Sequence, residues 1–186
     1  MQNIFNFKLR NAPPSAKVMV TAFLLSLGLA YVYAVANIAL VVGLTPKDIA
    51  IHYYGAENVI QEVQTSAEES LDLDSLETEK KVEIGPRPSF KNLVQEGHFH
   101  LFGMTTFFFL MTFLGLFTGI GEKAKMVLVG VPFVAIVFDN VSFMATRFLG
   151  PNFSYLTAVS GAVMGVTFTA LWIVIVLELI KKRESV

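Results

Sequence analysis

The residues best suited to chemistry in this sequence are two histidines in the stretch Glu96-Gly97-His98-Phe99-His100-Leu101. Imidazole can ligate a metal or carry a proton near neutral pH. In extended backbone, His98 and His100 would share a face and could both hold one metal, whereas in a helix they point about 200° apart. Ser89 is a suitable helix N-cap, so we expect helix from that residue onward, and a single-metal chelate by this pair is weakened.

The second candidate for chemistry is Asp139, the one charged residue in the apolar segment Met126–Met144. A carboxylate at the centre of a membrane-spanning helix costs about 2.5–3.5 kcal/mol, and it normally faces the bundle or a partner. Three roles are open. Asp139 can fix the helix register by bonding to Arg147, a histidine or Asn37; it can transfer protons or support a histidine ligand; or it can contact another subunit.

The third histidine, His52, follows the first apolar segment, and Met104 lies one helical turn after His100. These side chains are predicted to reach a similar depth, where they would suit copper, while two histidines from different helices would suit haem b. The predicted cofactor ligands are His52, His98, His100 and Met104. The residues predicted to orient them or to relay protons are Glu96, Asp139, Asn140, Arg147 and Asn37. The alternatives are that the histidines only cap helices at headgroup level, or that they serve proton or quinone chemistry.

The composition places these residues in a membrane protein, because 54% of the 186 residues are hydrophobic and the mean hydropathy is +0.59. The net charge of −1 gives no basis for nucleic-acid binding. The absence of cysteine excludes iron–sulfur clusters and covalent c-type haem. No phosphate-binding loop or nucleophile motif is present, so no catalytic residue is assigned and enzymatic activity is left open.

Four apolar stretches are long enough to cross a bilayer core of about 30 Å as helices. The sequence therefore predicts an all-α membrane protein, a four-helix transmembrane bundle with one long external loop between the first and second helices, in a single polytopic domain. The predicted spans are approximately 18–43, 99–120, 126–147 and 155–180, with the loop at approximately 45–97.

Basic residues near the ends of the spans predict the orientation, since Lys and Arg favour the cytoplasmic side. With four spans, the groups around Lys8, Lys123 and Lys181 all fall on one side, so both termini are predicted to be cytoplasmic. The opposite, external loop holds eleven acidic and five basic residues between Thr45 and Gly97. It is interpreted as a solvated loop or as a docking site for a basic partner. Residues 57–79 could form a short polar helix within it, but their low apolar content predicts a mobile segment unless a partner covers them.

Small residues in the spans favour close helix packing in lipid. The predicted packing positions are Gly115, Gly119, Gly161 and Gly165. They serve packing within the bundle, or contact with a second copy or with other membrane subunits. The inner halves of the spans are predicted to contain no polar residues comparable to those of the outer halves.

From His98 to Met104, the sequence resembles a loose group of uncharacterised bacterial four-span membrane proteins that begin the second span with His-x-His-Leu. The outer-half Asp139 and the pair Ser160-Gly161 in the fourth span extend the resemblance to most of the chain outside the loop. Some such proteins carry a Cys-x-x-Cys-His haem-attachment motif in the loop, which this chain lacks. The resemblance implies a bacterial inner membrane and redox surroundings, but it supplies no reaction.

The sequence thus leaves three functional hypotheses. The first is a small inner-membrane subunit whose His/Asp site on the periplasmic side takes part in electron transport through haem b or copper. The second is a non-catalytic accessory or scaffolding subunit of a larger membrane complex. The third is a proton- or ion-conducting component centred on Asp139.

Overall fold

The computed structural model describes residues 7–56, 58–59 and 87–183, and all regular secondary structure in these ranges is helical, with no strand. The interpretation of residues 57–79 as a polar helix falls almost entirely outside them. Five α-helices are described: α1 (Pro14–Asn37), α2 (Pro46–Tyr54), α3 (Phe90–Leu116), α4 (Glu122–Leu149) and α5 (Ser154–Ile180). Short 3₁₀ turns at Leu9–Asn11 and Pro151–Phe153 precede α1 and α5, and Ile38–Val42 extends α1 as a π-helical segment.

Four helical segments within the described residues are long and apolar enough to cross a membrane, which confirms the predicted transmembrane bundle. The segments are Pro14–Val42, Phe90–Leu116, Glu122–Leu149 and Pro151–Ile180. The second begins well before its apolar run because the Ser89 side chain accepts a hydrogen bond from the Asn92 backbone N–H, which confirms the predicted N-cap.

A main apolar core holds the four long helices together. Its most deeply buried side chains are at most 1% exposed: Phe108, Met111, Ile136, Leu171 and Ile175. The large apolar side chains on the outer faces are exposed, as expected for helices solvated by lipid. Trp172 on α5 ties α1 to this core by donating its indole N–H to the Leu24 carbonyl over 3.2 Å.

The short helix α2 lies where the sequence predicts the start of the external loop. Thr45 and Asp48 form a capping box at its first turn, with each side chain bonded to the other residue's backbone N–H. The helix buries Ile49, Ala50 and Tyr53, and packs against α4 and α5. We call this end of the bundle the α2 end, and the opposite end, where Leu9–Asn11 meets the α3–α4 turn, the termini end.

Glu178 shows that the predicted restriction of polar residues to the outer halves is wrong. The residue is 1% exposed at the termini end. Its Oε1 accepts a hydrogen bond from Arg10 Nε at 2.8 Å, and its Oε2 accepts one from the Gly119 backbone N–H at 3.1 Å. Counting along the apolar run placed Glu178 just beyond the membrane, but α5 continues to Ile180 and the segment before α1 folds back across it.

Candidate functional site

Asp139 lies at the centre of a polar cluster near the α2 end, where it joins three helices. It is 7% exposed on α4, and its Oδ1 accepts a hydrogen bond from Ser160 Oγ of α5 at 2.9 Å. Its Oδ2 lies 2.9 Å from His100 Nε2 of α3. The ring N–H of His100 does not point along this line, so the contact has ion-pair distance without the alignment of a hydrogen bond.

Hydroxyl groups extend this cluster along the α4–α5 interface. Ser142 and Thr157 bond to each other through their hydroxyls at 2.7 Å, and Ser142 also donates to the Asp139 carbonyl at 2.8 Å. Ser142 and Ser160 are both buried. Polar groups that bridge helices in this way avoid the cost of an unbonded group in hydrocarbon.

Tyr53 connects α2 to the same region. Its hydroxyl donates a 2.8 Å hydrogen bond to Glu96 Oε1, one turn before His100, and its ring stacks on Phe143 at 5.4 Å. Burial, and then the negative charges of Glu96 and Asp139, raise the pKa of Tyr53 above its usual value, so the phenol stays protonated. Burial also lowers the pKa of His52, against an opposing effect from the Glu96 charge.

Gly97 allows α3 and α4 to approach closely beside this site. A Cβ atom at this position would lie 3.3 Å from Phe143 Cζ and 3.4 Å from Asn140 Oδ1. Asn140 uses the space to donate its side-chain N–H to the Gly97 carbonyl over 3.0 Å. This interhelical bond holds His100 and Asp139 at one level.

The structure brings together only part of the predicted site. His98 is exposed, and its ring packs on Phe99 at a centroid distance of 5.6 Å, on a different face of α3 from His100. His52 is half-buried and packs edge-on against Tyr53 at 4.7 Å. Met104 packs against the apolar core. The described residues contain no group of three or more His, Asp or Glu side chains that could hold a metal ion.

Arg147 and Asn37, the other candidate partners of Asp139, are not bonded to it. Asn37 is exposed at the end of α1. The guanidinium of Arg147 lies 5.7 Å from the centroid of the Phe148 ring, and its buried Nε has no hydrogen-bond partner among the described residues. Of the alternatives left open by the sequence, a histidine is the residue that meets Asp139.

Residues 43–186 match a family model, Aq_1264_TM, described as a transmembrane helical domain. The chain belongs to this family. No curated protein and no solved structure matches the chain significantly. The match to the Aq_1264_TM family includes α2 to α5, and therefore every residue of the polar cluster around Asp139.

The four glycines predicted to pack helices have different surroundings in this Aq_1264_TM member. A Cβ on Gly115 would lie 3.1 Å from Leu171 on α5, and one on Gly165 would lie 2.9 Å from the Tyr31 hydroxyl on α1. A Cβ on Gly119 would lie 2.7 Å from Arg10 Nη2. Gly161, by contrast, is exposed and has nothing within 4 Å of its Cβ position.

Sequence reasoning did not assign Tyr53, Ser142 or Ser160 to the site. Tyr53 looked like part of a solvated loop, although the pattern of Ile49, Ala50 and Tyr53 at spacings of one, three and four residues is a helical signal. In the sequence, Ser160 stands out only for its place beside Gly161. A serine on an apolar helix usually bonds to its own backbone, so its contact with Asp139 becomes visible only in three dimensions.

Proposed function

We propose that this multi-pass membrane protein carries a proton-transfer site formed by His100 and Asp139. The observation that carries the proposal is the 2.9 Å distance between His100 Nε2 and an Asp139 carboxyl buried within a membrane-spanning helix. An imidazole and a carboxyl group in contact can pass a proton between them near neutral pH. Ionisable groups inside the bilayer mark proton or ion pathways by default.

The path we propose runs from the α2 end towards the middle of the bundle. Glu96 lies one helical turn before His100 and is half-buried, so it can collect protons near the bundle surface. His100 would gain a proton at Nδ1, which bonds to no described residue, and would release one from Nε2 to Asp139 after its ring turns to align this N–H with the carboxyl oxygen. Ser160 holds the other carboxyl oxygen in place.

Proton flux into liposomes tests this proposal. The purified chain is reconstituted around a pH-sensitive dye, and a potassium gradient with valinomycin drives proton uptake. We expect flux above that of protein-free liposomes, and a loss of at least about tenfold in Asp139→Asn and His100→Gln, because each removes one proton-carrying group. Thr106→Val is the matched control, since Thr106 is exposed on α3 and bonds only to the Phe102 carbonyl of its own helix. Flux equal to that of empty liposomes, or full flux in Asp139→Asn, would contradict the proposal.

A second candidate function is ligation of haem b or copper in an electron-transport complex. The observation that favours it is the carboxylate behind His100, because histidine ligands of metals usually bond to a carboxylate through their other ring nitrogen. His100 would then bind metal through Nδ1, with further ligands from another subunit. Visible spectra and metal analysis of the intact complex, with His98→Ala as the control for His100→Ala, test this candidate. Loss of the cofactor signal in His100→Ala alone supports it.

A third candidate is an accessory subunit of a larger membrane complex or of a homo-oligomer. It is supported by the outward-facing Gly161, where a Cβ atom would meet nothing within 4 Å and a second helix could approach closely. Stoichiometric co-purification with other subunits, disrupted by Gly161→Leu, would support this role. A bacterial inner membrane with both termini cytoplasmic is the location we infer for all three functions.

A further inference from the structure

A groove of about 460 Å³ opens between α4 and α5 on the surface of the bundle. Its walls include Val131, Val134, Phe138 and Val159, and Val134, Phe138 and Val159 are all at least half exposed on the faces that lipid would cover. Ser160 is the one polar residue among those that line it. The groove therefore faces the bilayer, and the one polar residue in its lining is the largely buried serine that bonds to Asp139.

The hydrogen bonds of the Ser160 hydroxyl limit the kind of ligand group to which it can bond. Three acceptors surround its one hydrogen: Asp139 Oδ1 at 2.9 Å, and the Leu156 and Thr157 carbonyls at 2.8 and 3.1 Å. With its hydrogen engaged by these groups, Ser160 Oγ is left with lone pairs and can only accept a bond from a ligand. A ligand in the groove must then donate a hydrogen bond.

The carboxyl group of Asp139, which bonds to Ser160, further restricts the chemical class of ligand that can bind in the groove. A carboxylate or phosphate headgroup would approach the Asp139 carboxylate in a medium of low dielectric, where repulsion between like charges is strong. A neutral hydroxyl avoids that repulsion. The apolar walls, in turn, suit a ring and hydrocarbon tail, and the volume lies in the range of small-molecule sites.

We infer that this groove binds the head of an isoprenoid quinol, with a ring hydroxyl donating to Ser160 Oγ. The inference rests on the proposed proton-transfer function, because it places a hydroxyl donor at the end of the chain formed by His100, Asp139 and Ser160. The oxidised quinone carries only carbonyl acceptors, so the same serine hydroxyl disfavours it. The inference concerns binding and includes no electron transfer.

Binding of decylubiquinol and decylubiquinone to the purified full chain in mild detergent tests the inference. The quinol is kept reduced under anaerobic conditions, and affinities are measured by equilibrium dialysis. We expect the quinol to bind at least about tenfold more tightly than the quinone, and Ser160→Ala to abolish most of that preference, because the variant removes the one acceptor in the groove.

Gly130→Leu provides a second variant, which fills the groove without touching Ser160. Nothing lies within 4 Å of a Cβ at Gly130, so the helix can accept the larger side chain. Gly103→Leu is its matched control, since Gly103 has equally open surroundings on α3 and is not a groove residue. We expect Gly130→Leu to lose at least about tenfold in quinol affinity, and Gly103→Leu to bind as the unaltered chain does.

The inference is overturned if neither probe binds, if quinone binds as tightly as quinol, or if Ser160→Ala or Gly130→Leu leaves quinol binding unchanged. The liposome assay distinguishes this failure from failure of the proton-transfer proposal. Normal proton flux without selective quinol binding would refute only the inference that the groove binds a quinol. Selective quinol binding by a protein that shows no proton flux would refute the proton-transfer proposal instead.

Discussion

Asp139 is a buried carboxyl group in a membrane-spanning helix, and two neighbouring side chains contact its oxygens. Removing a carboxylate from water at the bilayer centre costs about 2.5–3.5 kcal/mol. Ser160 Oγ lies 2.9 Å from one carboxyl oxygen of Asp139, and His100 Nε2 lies 2.9 Å from the other. These contacts offset part of the cost of burial. If His100 is protonated, the pair is an ion pair; if the proton lies on Asp139, both groups are neutral. In both arrangements the two groups share one proton, as the proposed transfer between them requires.

Gly97 yields the first prediction. Gly97→Ala is expected to lower the free energy of unfolding by about 1–2 kcal/mol, because the new methyl group overpacks the contact with Phe143 and Asn140. The matched variant Gly103→Ala has open space and should be neutral, or stabilising by up to about 1 kcal/mol through helix propensity. Unfolding in detergent micelles followed by circular dichroism measures both. Equal effects of the two substitutions would show that α3 and α4 are not in close contact at Gly97.

At this scale, the sequence identifies residues whose type conflicts with an apolar setting. Asp139 and His100 could be selected in this way, because a charged or titratable group in a membrane segment needs an explanation. Their pairing could not be selected over Arg147 or Asn37, because depth along a helix says nothing about the direction in which a side chain points. Glu178 was missed for a related reason, since it lies at the end of an apolar run and its partner Arg10 is 168 residues away in the sequence.

Among the elements, α2 is the least anticipated. It belongs to a separate apolar cluster of Ile49, Tyr53, Leu93 and Phe143, apart from the main core of the bundle. Glycines with positive φ stand on both sides of it, Gly43 at 92° and Gly55 at 105°. A small cluster between two such joints is expected to open more readily than the core does. The four spans were predictable from apolar length, but this short helix gains its stability from tertiary contacts.

His52 makes the stability of α2 dependent on pH. Burial holds its folded-state pKa below 6.5, so the unfolded state binds protons more readily. The stability from this residue is therefore present above about pH 6.5 and lost as the pH falls. Amide exchange of residues 46–54, corrected for the intrinsic rate, should become faster on acidification, and His52→Gln should remove this dependence. His98→Gln, at an exposed position, should keep it. A pH dependence that survives in His52→Gln would assign the effect to another group.

In the whole molecule, polar clusters lie at both ends and the apolar core lies between them. At the termini end, Glu178 joins α5 to the segment before α1 and to the α3–α4 turn. Glu178→Gln is expected to destabilise the protein by about 3 kcal/mol, because it removes the negative charge from the buried ion pair between Glu178 and Arg10. Detergent unfolding measures the loss. The double variant Arg10→Met, Glu178→Gln should recover part of it, and a strictly additive result would mean that the two residues are not coupled.

The orientation of the whole molecule can be tested because the chain contains no cysteine. Lys91→Cys and Lys182→Cys, both at exposed positions, introduce one thiol near each end of the bundle. In intact bacterial cells, a membrane-impermeant maleimide should label Lys91→Cys and should reach Lys182→Cys only after the membrane is opened, if both termini are cytoplasmic. The reverse pattern would invert the topology, and labelling of both in intact cells would refute the four-span arrangement.

The bond between Trp172 and the Leu24 carbonyl has a practical consequence. Trp172 is the only tryptophan in the protein, and it sits where the first and last helices meet. Its fluorescence therefore reports on this one region of the bundle. Emission from an indole that loses this bond and meets lipid or detergent will change in wavelength and intensity, so separation of α1 from α5 can be followed optically, in real time and without any added label.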